Sequence, residues 1–225
     1  MFGRAQSSDK ESDSSTSSSD VEATDSDQTA VEEARWVEQA SRGDRQAFAR
    51  IVEAYQRPIF NLCYRMLGDG AEAEDAAQES FIRAFLKLGS YDSSRKFSSW
   101  LFSIASHYCI DRLRKRRIKW LSLDELPPWR SNLGDDKPQP EESIIDVETT
   151  DEIRELLETL PPEYRAAVIM KYWHDMAYEE IAASLNTTVS AIKSRLFRAR
   201  KMMASAAVDR QGAQLASGGM MLAGN

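Results

Sequence analysis

The chain has 225 residues, of which 42% are hydrophobic, and a formal net charge of −7. This length suffices for one ordinary domain or for two small domains with buried cores. No apolar run approaches the roughly 18 residues that a membrane span requires, and the acidic, serine-rich N-terminus lacks the basic and then apolar order of a signal peptide. The sequence therefore predicts a cytoplasmic protein.

Charge is strongly segregated along the chain. Residues 1–34 carry two basic and nine acidic side chains, and residues 120–158 carry three basic and twelve acidic ones. Basic side chains are concentrated in residues 111–119, which hold six, and in residues 190–203, which hold five. Two basic surfaces separated by an acidic connector are typical of a protein that contacts nucleic acid at two points.

The spacing of apolar residues predicts an all-α protein with two small helical domains joined by a flexible acidic linker. Residues 1–30 are dominated by Ser, Asp, Glu and Thr, and we expect a disordered tail there because so few apolar side chains cannot offset the entropy of ordering. The first domain is predicted at residues 31–119, the proline-containing linker at 120–148 and the second domain at 149–206. Residues 207–225 are predicted to be a flexible tail.

Helix signals subdivide the first domain. Pro58 is predicted to begin a new helix, because proline suits the first helical turn. Another helix is predicted from Glu72 to Leu88, ended by Gly89, and a further one from about Phe97 into the basic cluster. Cys63 and Cys109 stand at apolar positions of these helices, which predicts buried reduced thiols rather than a disulfide or a metal site.

The second domain contains a short helix, a polar turn and a longer basic helix, reading YEEIAASL, NTT and VSAIKSRLFRARKMM. This order is typical of a helix-turn-helix, although a basic run alone would more often be a solvated helix face. At 100° per residue, Ile192, Leu196, Ala199 and Met203 form an inward stripe. The outward arc consists of Lys193, Ser194, Phe197, Arg198 and Lys201, whose cations, hydroxyl and ring suit phosphates, guanine edges and thymine methyls.

The string LPPEYRAAVIMKYWHDMAYEEIAASLNTTVSAIKSRLFRARKMM resembles region 4 of the extracytoplasmic-function, or group IV, sigma factors of the sigma-70 superfamily. The resemblance implies that this unit reads the minus-thirty-five promoter element in the major groove and contacts the β flap of RNA polymerase. The basic string KSRLFRAR also includes Arg195. We therefore define the recognition set as Lys193, Ser194, Arg195, Phe197, Arg198 and Lys201.

The helix predicted from Glu72 to Leu88 has an unusual outer side, where Ile82 and Leu86 lie among acidic and amide side chains. An apolar centre with a polar rim is typical of a protein docking surface. The string AEDAAQESFIRAF resembles the sigma segment that grips the clamp helices of the polymerase β′ subunit, and the resemblance adds Phe81 and Phe85, which the helical wheel places inward. The resulting docking face comprises Asp75, Gln78, Glu79, Phe81, Ile82, Phe85 and Leu86.

The next helix, FSSWLFSIASHYCIDRLRKRR, is predicted to turn Phe97, Trp100, Leu101, Ile104, Ala105 and Tyr108 toward a core. Its opposite side mixes hydroxyls and guanidiniums that can follow a phosphate backbone. This segment resembles the region that recognises and melts the minus-ten element, where loop 91–98 accepts an unstacked base. The minus-ten set is Tyr91, Ser99, Ser103, His107, Arg114 and Arg117. Relatives often have Asn at the position of His107, which leaves base preference there open.

These segments together predict a sigma factor that recruits core RNA polymerase to promoter DNA for a specialised stress or envelope response. The resemblance further implies an anti-sigma partner. A free-standing helix-turn-helix regulator is the alternative, but it leaves the docking face without a purpose. We predict no enzyme, cofactor, metal or small-molecule substrate, because the sequence has no nucleotide-binding glycine loop and no nucleophile paired with a base, and neither His107 nor His174 has a second ligand at helical spacing.

Overall fold

A computed structural model describes the backbone of residues 31–121 and 144–221, and the side chains of residues 31–116 and 151–210. Every regular element in these ranges is helical, which confirms the all-α prediction. The predicted tail at 1–30 and most of the linker lie outside the described residues. The helices are α1 (31–41), α2 (Arg45–Leu67), α3 (Gly70–Lys87), α4 (Phe97–Leu121), α5 (Ile144–Glu158), α6 (Pro162–Tyr172), α7 (Tyr178–Ser184) and α8 (Val189–Met221), with a 3-10 turn at Leu88–Ser90.

Helix α2 continues through Pro58, so the prediction of a new helix at that residue was wrong. Proline removes one backbone hydrogen bond and crowds the preceding turn. The helix is nevertheless continuous because apolar side chains on both sides of the proline, including Ile51, Ile59 and Leu62, are fully buried in one core.

Three other helix ends differ from the sequence prediction. Helix α4 extends to Leu121 and α5 begins at Ile144, so both reach into the predicted linker. Helix α8 extends to Met221, although a flexible tail was predicted from residue 207. The stretch from 204 to 221 includes five alanines and no proline that would stop the helix, and Arg210 of α8 bonds Glu155 of α5 at 2.6 Å.

The first domain, α1–α4, is a bundle in which α2, α3 and α4 pack against one another. Its core side chains include Ile51, Leu62, Met66 and Leu101, which are fully buried. Cys63 and Cys109 are also buried and reduced, as predicted. A hydrogen bond from one thiol to the other, together with burial, raises the pKa of Cys109.

The second domain, α5–α8, packs directly against the first. Helices α6 and α7 contact α4 on the side away from α3, and α6 also contacts α2. The ring of His174 lies 4.3 Å from the ring of Phe102 in α4. Burial, and the nearby positive charge of Arg65, lower the pKa of His174 to about 4, so this imidazole is neutral at physiological pH.

A buried arginine joins the two domains. Arg165 of α6 donates from Nη1 to the carbonyl of Met66 at 2.6 Å and from Nη2 to the carbonyl of Glu158 at 2.9 Å. These carbonyls belong to the last turns of α2 and α5, where a cation complements both the unpaired oxygens and the helix dipole. Burial lowers the pKa of Arg165 to about 10, which leaves it charged at neutral pH.

Gly68 allows the second domain to approach the end of α2. It caps that helix with a φ of 79°, and a Cβ built at this position would lie 2.7 Å from Oε1 of Glu158. Glycine adopts this left-handed conformation without strain, and an added Cβ would also require the terminal carboxylate of Glu158 to move.

We predict that Gly68→Ala destabilises the protein by more than Gly43→Ala. Gly43 also has a positive φ, of 96°, but nothing lies within 4 Å of its added Cβ. Gly43→Ala should therefore cost only the backbone strain of about 1–2 kcal/mol, whereas Gly68→Ala adds the displacement of Glu158. Urea unfolding of the two variants measures the difference, and equal losses would show that Gly68 serves the turn alone.

Candidate nucleic-acid interface

The helix-turn-helix is formed by α7, a tight turn at residues 185–188 and the start of α8. Asn186 takes a left-handed conformation with φ 49°, which a short asparagine side chain tolerates. The hydroxyl of Thr188 accepts a hydrogen bond from the backbone N–H of Ala191 at 3.2 Å and thereby caps α8. At the start of α7, the carboxylate of Glu180 accepts from the N–H of Ala177.

The recognition helix is oriented as the sequence predicts. Ile192, Leu196 and Ala199 are buried, and Met203 is half-buried. The outward residues of the recognition set, Lys193, Ser194, Phe197, Arg198 and Lys201, are all exposed, and Phe197 is 64% exposed. A large exposed ring among cations on one helix face is suited to contact with base edges and phosphates.

Arg195 is the member of the recognition set that turns partly inward. Its side chain is half-buried, and its Nη1 atom is buried without a hydrogen-bond partner among the described residues. Its charge helps to lower the pKa of Glu163 on α6. Arg198, by contrast, is exposed and approaches the hydroxyl of Tyr164 at 3.5 Å. Arg195 is therefore held closer to α6 than to the outer surface.

The docking face on α3 is largely solvent-exposed. Ile82 is 56% exposed and Leu86 76%, and they lie beside exposed Asp75 and Gln78. Glu79 is half-buried and bonds Arg83 at 2.7 Å. Two exposed aliphatic side chains with an acidic and amide rim match the surface that the sequence predicts.

The two phenylalanines of the docking face differ in position. Phe81 is 9% exposed and belongs to the core, as the helical wheel predicts. Phe85 was also predicted to point inward, but it is 41% exposed and meets the edge of Phe48 with ring centroids 5.0 Å apart. The wheel placed Phe85 too far inward, because its contact with Phe48 of α2 leaves 41% of the residue exposed.

The members of the minus-ten set on the first half of α4 do not lie on an open surface. Ser99 is buried, and its carbonyl accepts a hydrogen bond from Ser184 of α7 at 3.0 Å. His107 contacts the Ser103 carbonyl through Nδ1 at 2.7 Å, and its Nε2 lies 3.5 Å from Nδ2 of Asn186. The sequence interpretation treated this side of α4 as a free face, and the structure corrects it, because the second domain covers it.

Of the other members, Tyr91 lies in the loop before α4, and Arg114 and Arg117 lie in the second half of that helix. Arg114 donates from Nε to Glu163 of α6 at 3.0 Å, while the side chain of Arg117 lies outside the described residues. Tyr91 packs on Phe97 and Trp100 with ring centroids 5.5 and 5.2 Å away, and its hydroxyl donates to the carbonyl of Arg95. These contacts give loop 91–98 a defined shape before any nucleic acid binds.

The sequence contained a signal for this two-sided burial. Residues 97–110, FSSWLFSIASHYCI, include no charged side chain. A helix without a charged face is usually covered on more than one side. The serines of this run obscured the signal because hydroxyls suit both a phosphate backbone and a packed helix.

The described residues offer neither a membrane span nor a metal site. No described helix is both long enough and apolar enough to cross a bilayer. Within the side chains that the structure describes, no group of three or more His, Cys, Asp and Glu could hold a metal ion.

Comparison with known proteins identifies the family. Residues 51–118 match the model of sigma-70 region 2, and residues 150–203 match that of sigma-70 region 4. The ECF RNA polymerase sigma factor SigW of Bacillus subtilis is 38% identical over 172 residues, which cover 74% of this chain and 92% of the relative. The chain belongs to the ECF sigma factors. It therefore directs transcription initiation by RNA polymerase.

Other sigma factors show the same breadth of similarity. The ECF RNA polymerase sigma-E factor of Escherichia coli K12 is 30% identical over 170 residues, covering 73% of this chain and 88% of the relative. Among solved structures, CnrH in complex with the cytosolic domain of CnrY has a TM-score of 0.58 at 22% identity, covering 80% of this chain and 98% of that one. The Bartonella quintana sigma factor RpoE in complex with the anti-sigma factor NepR has a TM-score of 0.56, also at 22% identity, covering 69% and 93%. These two structures share the fold of this ECF sigma factor.

We predict that truncating two apolar side chains of α8 has very different effects on stability. Ile192→Ala should destabilise the sigma factor by about 2–5 kcal/mol, because it opens a cavity at a fully buried site. Phe197→Ala should change the free energy of unfolding by less than about 0.5 kcal/mol, since its ring is mostly in solvent. Chemical denaturation of both variants tests this, and a large loss for Phe197→Ala would mean that the ring packs within the protein rather than serving the outer surface.

Proposed function

We propose that this chain is a group IV sigma factor that docks on core RNA polymerase through α3 and reads promoter DNA through α4 and α8. The observation that carries this proposal is the coexistence of two different surfaces in one chain. Exposed Ile82 and Leu86 with an acidic rim suit a protein partner, whereas exposed Arg198 and Lys201 suit DNA. A free-standing DNA-binding regulator would need only the second surface.

Helix α3 has one side buried in the bundle and one side in water, and this difference supports the docking assignment. Its inner side, including Ala76 and Phe81, is buried in the bundle, while Ile82 and Leu86 remain in water. Burial of exposed aliphatics against a partner is favourable by about 25 cal/mol per Å² of apolar area. The rim acids Asp75 and Glu79 would then pair with basic side chains of the β′ clamp helices.

Each of the two domains would contact a different promoter element. The recognition set on α8 would enter the major groove of the minus-thirty-five element, with Arg198 and Lys193 donating and Phe197 contacting a thymine methyl. The minus-ten set on α4 and loop 91–98 would hold the melted strand, so that capture of an unstacked base offsets the few kcal/mol or so needed to unstack it. Binding drives opening in this scheme, without a catalytic site.

The remaining assignments follow from this role. The first domain at 31–119 would supply docking and minus-ten recognition, and the second at 149–206 minus-thirty-five recognition and a β-flap contact. The protein would act in the cytoplasm, where the polymerase and the chromosome are. The solved structure of RpoE from Bartonella quintana holds a sigma factor bound to the anti-sigma factor NepR, which supports an anti-sigma partner for this chain as well.

We predict that Ile82→Ala combined with Leu86→Ala weakens core polymerase binding at least about tenfold, because two exposed anchors of the docking face are removed. The matched control combines Val31→Ala and Val208→Ala, which shorten exposed aliphatics of similar accessibility elsewhere. Titration of labelled variants with core polymerase measures both affinities. Equal binding by the two double variants would refute the docking face.

We predict that Arg198→Ala weakens recognition of the minus-thirty-five element by about 1–3 kcal/mol, because a donor to base or phosphate acceptors is lost. Arg200→Ala is the control, since Arg200 is an exposed cation of the same helix outside the recognition set. Footprinting of the holoenzyme on its promoter measures the effect. Protection that is lost equally in both variants would point to general charge rather than to a specific contact.

A further inference from the structure

We propose that Tyr164 of α6 is a positioning residue for promoter recognition, because its hydroxyl meets the guanidinium of Arg198 and orients that side chain before DNA binds. The inference rests on the proposed function, which assigns Arg198 to the minus-thirty-five element. It adds that the sequence preference of the recognition helix depends partly on α6, which lies outside the helix-turn-helix.

Tyr164 lies on a rigid part of the second domain. Its backbone N–H donates to the carbonyl of Pro161 at 2.9 Å, in the first turn of α6, where Pro161 and Pro162 restrict the backbone. The next six residues, Arg165 to Met170, are all buried. The ring of Tyr164 is half-buried against the core, so its hydroxyl is held at a defined place on the surface.

Two arginines of the recognition set face this turn of α6 and meet different groups there. Arg195 and Arg198 are three residues apart, which puts them on the same side of α8. Arg195 is half-buried and interacts electrostatically with the carboxylate of Glu163. Arg198 is exposed, and its Nη1 donates to the hydroxyl of Tyr164 at 3.5 Å. Adjacent residues of α6 therefore give one arginine an acid and the other a neutral hydroxyl.

A hydroxyl can orient a guanidinium without neutralising its charge. Arginine has five N–H donors in a planar fork, and the hydroxyl of Tyr164 accepts from one nitrogen of Arg198. A carboxylate at this place would form a stronger, charge-assisted pair and would compete directly with DNA phosphates. The neutral acceptor therefore leaves the positive charge of Arg198 available to DNA.

Orientation in the free protein matters because a long side chain loses rotamer freedom when it binds a base or a phosphate. Contact with Tyr164 removes part of the freedom of Arg198 beforehand. A bidentate contact with guanine also requires the fork to lie in a particular plane. Loss of the hydroxyl should therefore weaken binding to a preferred sequence more than binding to arbitrary DNA.

A lysine on the other side of the recognition helix is held in a different way. Nζ of Lys193 lies 5.7 Å from the ring centroid of Tyr178 in α7. This is a cation–π distance, and the ammonium group is a compact charge that the ring attracts without aligning a particular N–H. Of these two contacts, only the hydroxyl of Tyr164 gives a donor group a direction.

The test is a double-mutant cycle on the holoenzyme formed by core polymerase and the full chain. Tyr164→Phe keeps the half-buried ring and removes only the hydroxyl, and Arg198→Ala removes its partner. The DNA probe is the duplex that the parent holoenzyme selects most strongly from a pool with a long randomised segment. A scrambled version of that duplex measures non-specific binding. All affinities are measured by titration at one salt concentration.

Two matched controls come from the same helices. Tyr172→Phe removes a hydroxyl from a tyrosine of α6 that is 57% exposed and has no hydrogen bond among the described residues. Arg200→Ala removes an exposed cation of α8 that lies outside the recognition set, and it replaces Arg198→Ala in a second cycle. Urea unfolding of Tyr164→Phe and Tyr172→Phe shows whether either hydroxyl stabilises the fold.

We expect Tyr164→Phe to weaken binding to the selected duplex about two- to fivefold, as loss of one exposed hydrogen bond implies, and to leave binding to the scrambled duplex unchanged. In the Arg198→Ala background the same change should have no further effect, because the partner is already absent. In the Arg200→Ala background it should weaken binding by the same factor as in the parent. Tyr172→Phe should bind and unfold like the parent.

A full loss that persists in the Arg198→Ala background would overturn the inference, since Tyr164 would then act on the DNA or on the fold directly. Binding by Tyr164→Phe that equals that of the parent, or an equal loss for both duplexes, would also overturn it. If Arg198→Ala weakens binding while Tyr164→Phe does not, only the inference fails. If Arg198→Ala itself binds the selected duplex like the parent, the role given to Arg198 in the proposed function fails as well.

Discussion

Burial of α4 on two sides is the constraint on which the rest of the structure depends. Residues 97–110 contain no charge, and a helix of this kind is usually covered on more than one side. Helices α2 and α3 cover one side, where Leu101 and Cys109 are fully buried, and α6 and α7 cover the other, where Ser99 and Phe102 are buried. The two domains form one hydrophobic cluster as a result.

A buried arginine is tolerated at the junction of the two domains because of the groups that it bonds. An unpaired cation in such a place would be costly, but Arg165 meets carbonyls at the ends of two helices, which carry partial negative charge. At the same junction Gly68 leaves space beside Glu158, and the buried imidazole of His174 carries no charge at neutral pH. Packing between the domains is therefore specific, although charged groups form its outer edge.

Sequence reasoning predicted the elements that depend on local periodicity and failed where distant contacts decide. The buried stripe of α8 and the exposed Ile82 and Leu86 of α3 follow from helical spacing alone. The passage of α2 through Pro58 does not, because it is stabilised by burial on both sides of the proline. The cover over Ser99 and His107 was likewise invisible, since it comes from α7, about eighty residues further along the chain.

The central claim is that this chain gives core RNA polymerase its promoter specificity. The most direct measurement is transcription of fragmented genomic DNA by purified bacterial core polymerase with and without the full chain, with sequencing of the transcript starts. The account predicts new start sites that share two upstream elements, spaced for simultaneous contact by α4 and α8. Start sites identical to those of core polymerase alone would contradict it.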